Sequence, residues 1–206
     1  MSENAEESVL IAGAARGDLD AFNRLVLRYQ DLLYNHAYGM LGDRQRAEDV
    51  TQDGFIRAFE GINRFRGGSF RAWLLQIITN DCYDVMRSLQ RHPTVSLLPE
   101  DANGEEIESP AWEADPGPSV EALVEQNAFL GRLYQALGEL PAACRSVVVL
   151  VDLQELDYAE AACVLKIPVG TVRSRLARAR LRLRHMLAPV RDFEDQVALA
   201  GSAAMD

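Results

Sequence analysis

The chain has 206 residues, 48% of them hydrophobic, and a formal net charge of -10, which suits one ordinary domain or two small ones with real hydrophobic cores. The chain contains no run of about 18 apolar residues, the length that could cross a membrane. Its acidic start, MSENAEESVL, lacks the basic and apolar segments of a signal peptide, so we expect a cytoplasmic protein without membrane insertion. Three separated cysteines and three scattered histidines give neither a disulfide framework nor a metal-binding pattern, so we expect no metal and no cofactor.

The charges are distributed unevenly along the chain. Residues 93–125 contain nine acidic side chains and no basic one, whereas residues 161–191 contain eight basic side chains and no acidic one. Such asymmetry indicates separate segments with separate partners.

Residues 1–91 are predicted to form a helical domain. Apolar side chains recur there at steps of three and four, a spacing typical of amphipathic helices. The helical patterns cover residues 19–40, 47–59 and 70–86. The loop NRFRGGS at 63–69 precedes the third predicted helix, and Ser69 is its predicted N-cap.

Residues 92–119 interrupt this periodicity. The segment contains five prolines and many carboxylates, and its apolar residues keep no sustained spacing. We predict a flexible acidic linker here.

Residues 120–188 are predicted to form a second helical domain. The run VVVLV at 147–151 has strand propensity, but a single strand would have no partner in this chain, so we predict a buried helix that Pro141 begins at an early position. A short helix over Tyr158–Leu165, a turn and an arginine-rich helix follow, and the tail 189–206 is predicted to fray. The predicted fold class is all-α, with two small helical domains joined by the linker and a helix-turn-helix in the second.

The stretch GTVRSRLARARLRLR at 170–184 has six arginines and no acidic residue. Its apolar residues recur at steps of four, three and four, so one side of the helix would dock on a core. Solvated helix faces usually interleave acidic and basic residues, whereas here like charges repel until an external anion arrives. A short helix, a turn and a second helix with exposed arginines is the helix-turn-helix plan for the DNA major groove. Arginine suits that groove because its planar guanidinium can hold a phosphate or a guanine edge in two hydrogen bonds.

Three blocks of the sequence resemble bacterial sigma factors of the extracytoplasmic-function (ECF) subfamily. YAEAACVLKIPVGTVRSRLARAR at 158–180 resembles their C-terminal DNA-binding region. RAEDVTQDGFIRAF at 46–59 resembles the helix that they present to RNA polymerase, and FRGGSFRAWLLQIITNDCYDVMR at 65–87 resembles their promoter-melting loop and the helix after it. The resemblance covers roughly residues 10–91 and 125–187 and implies a specificity subunit with no catalytic reaction of its own, hence not an enzyme.

The resemblance also implies three sets of site residues. The set expected to bind core polymerase is Asp49, Gln52 and Asp53. The set expected at the −10 element is Arg64, Phe65, Arg66, Ser69 and Asn80, of which Asn80 would read a flipped base through its amide. The set expected at the −35 element is Thr171, Arg173, Ser174, Arg175 and Arg178. The remaining arginines of the helix are expected to hold phosphates or to pack against the polymerase flap, and they are Arg180, Arg182 and Arg184.

A metal site at the acidic cluster of the second predicted helix is disfavoured. Glu48 and Asp49 are adjacent and point apart on a helix, and no histidine lies near them in the sequence. Solvated faces are the alternative interpretation both for this cluster and for the arginine helix.

The implied function is that of a transcription initiation factor, which binds core RNA polymerase, directs it to promoters with −10 and −35 elements and promotes strand separation. Its expected partners are core RNA polymerase, promoter DNA and a cognate anti-sigma factor, with no small-molecule substrate. The alternative is a conventional helix-turn-helix regulator that binds an operator without being a polymerase subunit. A helical adaptor that binds only protein is a third possibility. Initiation at a defined promoter by the purified protein and core polymerase would separate all three.

Overall fold

The computed structural model of the chain describes residues 3–91 and 120–203, with side chains described for 5–91 and 128–188. Every regular element in those ranges is helical, which confirms the predicted all-α class with two helical domains. The α-helices are α1 (Glu3–Ala14), α2 (Leu19–Leu41), α3 (Arg44–Gly61), α4 (Phe70–Arg91), α5 (Val120–Glu139), α6 (Ala142–Val148), α7 (Tyr158–Leu165) and α8 (Val169–Ala203). A 3-10 turn (Ile62–Arg64) follows α3, and a π-helical turn (Val149–Leu153) follows α6. The predicted linker, 92–119, lies outside the described residues.

Helices α1 to α4 form the first domain, in which α2 and α3 each begin at an aspartate. Asp18 accepts a hydrogen bond from the backbone nitrogen of Ala21 (3.1 Å), and Asp43 accepts one from that of Arg46 (2.8 Å). These side chains satisfy backbone donors that a helix start leaves unpaired. They fix where α2 and α3 begin, and α3 carries the candidate residues Asp49, Gln52 and Asp53.

Helices α3 and α4 cross at close range in the core of this domain. A Cβ atom on Gly54 of α3 would overlap Cδ1 of Ile78, a fully buried residue of α4. Glycine therefore permits the close crossing, and the crossing sets the position of α4 relative to the acidic face of α3.

Helices α5 to α8 form the second domain, and its central run VVVLV is helical as predicted. Val147, Val149 and Leu150 are buried, and the helix widens into the π-helical turn at Val149. Pro141 occupies the N-cap position just before α6. Helix α8 continues to Ala203, so its backbone runs on through part of the tail; the fraying itself stays a prediction, as do the predicted domain boundaries.

The two domains pack against each other through contacts that the sequence did not predict. The Arg145 guanidinium donates a hydrogen bond to the carbonyl of Met40 (2.6 Å), and the Tyr83 hydroxyl donates one to Oγ of Ser146 (2.7 Å). Helix α2 also meets the π-helical turn directly, because a Cβ on Gly39 would lie 3.1 and 3.2 Å from the two methyl groups of Val149. The described parts of the two domains thus share one closed arrangement. Among these residues, no helix combines the length and apolar character that a membrane span requires.

Candidate functional site

The helix-turn-helix is positioned by the way α7 begins and ends. Asp157 Oδ1 accepts hydrogen bonds from the backbone nitrogens of Ala159 (2.7 Å) and Glu160 (2.8 Å), and the Glu160 carboxylate accepts one from the nitrogen of Asp157 (3.2 Å). This reciprocal capping box starts α7 at Tyr158. At the other end, Lys166 adopts the left-handed conformation (φ 53°), which turns the chain toward α8.

Helix α8 buries one side and exposes the other, as its sequence predicts. The buried stripe is Val172, Leu176, Ala179 and Leu183. Of the residues predicted to contact the −35 element, Arg173, Ser174 and Arg178 are exposed. Thr171 and Arg175 are half-buried. Within the described side chains no carboxylate pairs with these arginines, so their charge is open to an anion from outside.

Arg180 differs from the other arginines of α8. Asp152 of the π-helical turn holds its guanidinium by two hydrogen bonds, Nε–Oδ2 at 3.1 Å and Nη2–Oδ1 at 2.5 Å. The hydrogen bond to Asp152 raises the pKa of Arg180 above its ordinary value. Because a carboxylate already neutralises it, Arg180 is less open to a phosphate than Arg178, which lies half a turn earlier.

The loop between α3 and α4 carries most of the residues predicted for the −10 element. Ser69 Oγ accepts a hydrogen bond from the backbone nitrogen of Ala72 (3.1 Å), which confirms Ser69 as the N-cap of α4. Arg64 and Arg66 are exposed. Phe65 packs its ring edge-on against Phe70, with ring centroids 5.3 Å apart, so it is only half-exposed.

This loop faces α7 of the second domain. A cavity of about 400 Å³ lies between the loop and α7, and it is smaller than a groove of about 790 Å³ elsewhere on the first domain. Its walls come from both domains and include Arg64, Phe65 and Trp73 on one side and Glu160 and Cys163 on the other. The closed arrangement therefore places part of the helix-turn-helix against the loop.

Asn80 is exposed on α4, more than two turns beyond the loop. It lines a groove with Tyr83, Asp84 and Arg87 on the same helix. The structure does not bring Asn80 together with the loop residues in one pocket, so the predicted −10 set forms two neighbouring patches of the first domain.

Asp49, Gln52 and Asp53 all lie exposed on α3, as a protein-binding face requires. Gln52 also lines the 790 Å³ groove between α2 and α3. Asp49 and Asp53 lie outside that lining. Among the described residues, no group of three or more histidine, cysteine, aspartate or glutamate side chains is arranged to hold a metal ion.

Sequence reasoning missed the apolar walls of this groove. They are formed by Leu19, Phe22, Val26, Tyr34, Phe55, Ile56 and Phe59, and acidic side chains at the rim include Asp31, Glu48 and Glu60. Ile56 is 53% exposed and Leu19 is 61% exposed, and both line the same groove, so they belong to a contiguous apolar surface of the kind that marks an interface. The walls come from both α2 and α3, so the groove depends on how the two helices cross, which no local spacing in the sequence indicates.

Known proteins match both halves of the chain. The family model of sigma-70 region 2 matches residues 25–92, and that of sigma-70 region 4 matches residues 130–183. All residues predicted for the polymerase and −10 sites lie within the first match, and those predicted for the −35 site lie within the second.

Individual relatives agree with these models. The chain is 36% identical to the ECF RNA polymerase sigma factor SigE of Mycolicibacterium smegmatis over 84% of its own length and 65% of that protein's. It is 32% identical to the RNA polymerase sigma-H factor of Pseudomonas aeruginosa over 92% of its length and 98% of that protein's. Among solved structures it resembles the sigma factor RpoE in complex with the anti-sigma factor NepR from Bartonella quintana, with a TM-score of 0.61 and 28% identity over 81% of this chain and 96% of that one.

Proposed function

The chain belongs to the ECF sigma factors of the sigma-70 family, so it directs RNA polymerase to promoters, and we propose that it does so through the surfaces described above. A conventional helix-turn-helix regulator would not carry region 2 together with region 4. By family, the protein is an initiation factor that works in the cytoplasm beside RNA polymerase and has no reaction of its own.

The −35 element is read by the exposed side of α8. The observation that supports this assignment is the row of arginines that no described carboxylate neutralises, next to Arg180, which Asp152 does neutralise. Arg173 and Arg178 can each present a planar fork to a guanine edge or a phosphate, with Ser174 between them. Thr171 and Arg175 are half-buried, and Thr171 lies in the first turn of α8, where free backbone N–H groups favour a phosphate.

The −10 element is read by the loop and α4 of the first domain. Arg64 and Arg66 are exposed cations beside a cluster of aromatic rings, a combination that suits an unpaired strand. Phe65 is the half-exposed aromatic ring of the loop, and Ser69 is a cap whose hydroxyl lies at the surface of the loop. Asn80 reads a flipped base, because its exposed amide can both donate and accept hydrogen bonds.

Core polymerase binds the acidic side of α3. Asp49, Gln52 and Asp53 are exposed, and the groove at Gln52 has apolar walls and an acidic rim. This surface fits a basic amphipathic helix, whose apolar side would enter the groove while its cations meet the carboxylates. A cognate anti-sigma factor is a further expected partner, since the similar RpoE structure contains one.

Transcription in vitro tests the proposed function. The full chain is added to core RNA polymerase with a pool of random DNA duplexes, and the 5′ ends of the transcripts are sequenced. We expect start sites that depend on the chain and share two upstream motifs. Transcripts identical to those from core polymerase alone would contradict the proposal.

A further inference from the structure

Asn80 lies between two buried polar residues. Thr79 is 1% exposed and Asp81 is 6% exposed, whereas Asn80 itself faces solvent. Successive residues of an α-helix point about 100° apart, so Thr79 and Asp81 leave α4 on either side of Asn80. Each of them is held by a different helix of the first domain.

Thr79 is held by α2. Its Oγ1 donates its single hydrogen to the carbonyl of Leu75 (2.6 Å), and Nε2 of His36 lies 2.9 Å from the same oxygen. Since that hydrogen is already used, His36 must donate from Nε2 and is the neutral tautomer protonated there. Burial lowers the pKa of His36 to about 3, which agrees with a neutral ring.

Asp81 is held by α3. Its buried carboxylate forms an ion pair with Arg57, whose side chain is 55% exposed. The second oxygen, Oδ2, has no hydrogen-bond partner within the described part of the chain. Gly54, one turn before Arg57, brings α3 close enough to α4 for this pair to form.

We propose that these two contacts, His36–Thr79 and Arg57–Asp81, form a clamp that positions Asn80 for reading the −10 base; this inference rests on the proposed role of Asn80. The apolar crossing at Gly54 and Ile78 sets how closely α4 approaches α3, and the two polar contacts add a directional requirement, because a hydrogen bond depends on angle whereas apolar attraction does not. A buried hydroxyl and a buried carboxylate tolerate only the arrangement that keeps their partners. The clamp thus fixes the direction of the Asn80 amide before the DNA strand arrives. Thr79 and Asp81 are positioning residues, since both are buried away from the DNA.

The test measures base discrimination by the holoenzyme, that is, core polymerase with the full chain. Open-complex formation is compared on a promoter selected as above and on three variants with the other bases at the flipped position. Arg57→Gln and Thr79→Val should each reduce the discrimination ratio about tenfold, whereas Arg57→Lys, which keeps the charge, should retain most of it. In an Asn80→Ala background, Arg57→Gln should cause no further loss.

Val50→Ala is the control for stability, since Val50 is a buried residue of α3 two turns away from Arg57. It should lower the free energy of unfolding and leave discrimination unchanged. Should Arg57→Gln fail to fold, Asp81→Asn replaces it, because it keeps the shape of the side chain and removes the charge.

The outcomes separate the clamp from the role of Asn80. If Asn80→Ala abolishes discrimination while folded Arg57→Gln and Thr79→Val retain it in full, the clamp is overturned and the role of Asn80 stands. Loss of discrimination by Val50→Ala in proportion to its lost stability would also overturn the clamp, since any destabilisation would then have the same effect. If Asn80→Ala leaves discrimination intact, the proposed reading role fails and the clamp fails with it.

Discussion

Asn80 and Arg178 are both exposed, but they lie in different domains and we assign them to different stages of initiation. Asn80→Ala should leave recruitment close to normal and lower the yield of open complex, because its amide meets a base only after the strands separate. Arg178→Ala should weaken recruitment by roughly 1–3 kcal/mol if the guanidinium reads a base edge. Gel retention of the closed complex measures recruitment, and permanganate footprinting of unpaired thymines measures opening.

Arg180→Ala is the matched control for Arg178→Ala. Both remove a guanidinium from α8, but Asp152 already holds that of Arg180. Its effect on recruitment should therefore be smaller. Equal melting defects for Asn80→Ala and Arg178→Ala would contradict the division of roles.

His36 gives the first domain a defined dependence on pH. Its pKa is about 3 in the folded protein because the ring is buried, against roughly 6.5 in an unfolded chain. Between these values the unfolded chain binds a proton that the folded chain does not, so the free energy of unfolding falls as the pH falls below about 6.5, by at most about 1.4 kcal/mol per pH unit. Above that pH the contribution is fully present.

Urea unfolding at pH 7.5, 6.5 and 5.5 measures this effect, with His36→Gln as the comparison. Glutamine can still donate to Thr79 but does not titrate, so the variant should lose less stability between the two lower pH values. The carboxylates are the same in both proteins and cancel in the comparison. Equal slopes would show that the buried ring does not control the dependence.

At the scale of single elements, α3 is the helix whose face we assign to polymerase. Replacing both Asp49 and Asp53 with arginine should abolish association with core polymerase, because the basic partner would then meet like charge. Helical content should not change, since both side chains are exposed. Co-elution with core polymerase in gel filtration measures association, and circular dichroism measures helicity. Retained co-elution of the double variant would remove the assignment.

A companion pair of substitutions on α2 tests whether the partner also covers the rim of the groove there. Asp20→Arg with Asp31→Arg adds the same charge change to the first domain, and both aspartates are exposed. Asp31 lies at the rim of the apolar groove, whereas Asp20 does not. An intermediate loss with this pair would therefore mean that the partner extends across the groove to α2.

Elements with local patterns could be predicted from the sequence, and contacts between distant residues could not. The buried residues of α8 recur at helical steps, and the charges on its other side share one sign. The helix and its exposed face can therefore be predicted from a few turns of sequence. The His36–Thr79 and Arg57–Asp81 contacts join residues 43 and 24 positions apart. No local spacing indicates which partner a buried polar side chain will meet. The same holds for the groove at Gln52, which depends on how α2 and α3 cross.

For the whole molecule, the closed arrangement is too compact to read both promoter elements at once. A compact chain of 206 residues has a radius of gyration of about 17 Å. The −10 and −35 elements lie roughly 25 base pairs apart, which is about 85 Å of B-DNA at 3.4 Å per base pair. With the −10 element assigned to the first domain and the −35 element to the second, as we propose, the two domains separate when the protein engages a promoter on polymerase, and the contacts between them oppose that step.

Gly39 is a position of α2 where an added side chain would meet the second domain. The three atoms nearest to a Cβ at this position are the Val149 methyl groups, at 3.1 and 3.2 Å, and Cδ1 of Leu153, at 3.6 Å, all in the second domain. Gly39→Leu would place a larger side chain against the π-helical turn and should force the domains apart while leaving the core of the first domain intact. Small-angle scattering should show a larger radius of gyration, and the variant should bind core polymerase more tightly, because part of the cost of opening is already removed.

Gly131→Leu is the matched control, since a Cβ there meets nothing within 4 Å, and it should change neither quantity. An unchanged radius of gyration for Gly39→Leu would mean that the interface accommodates the side chain and that this contact does not hold the domains together.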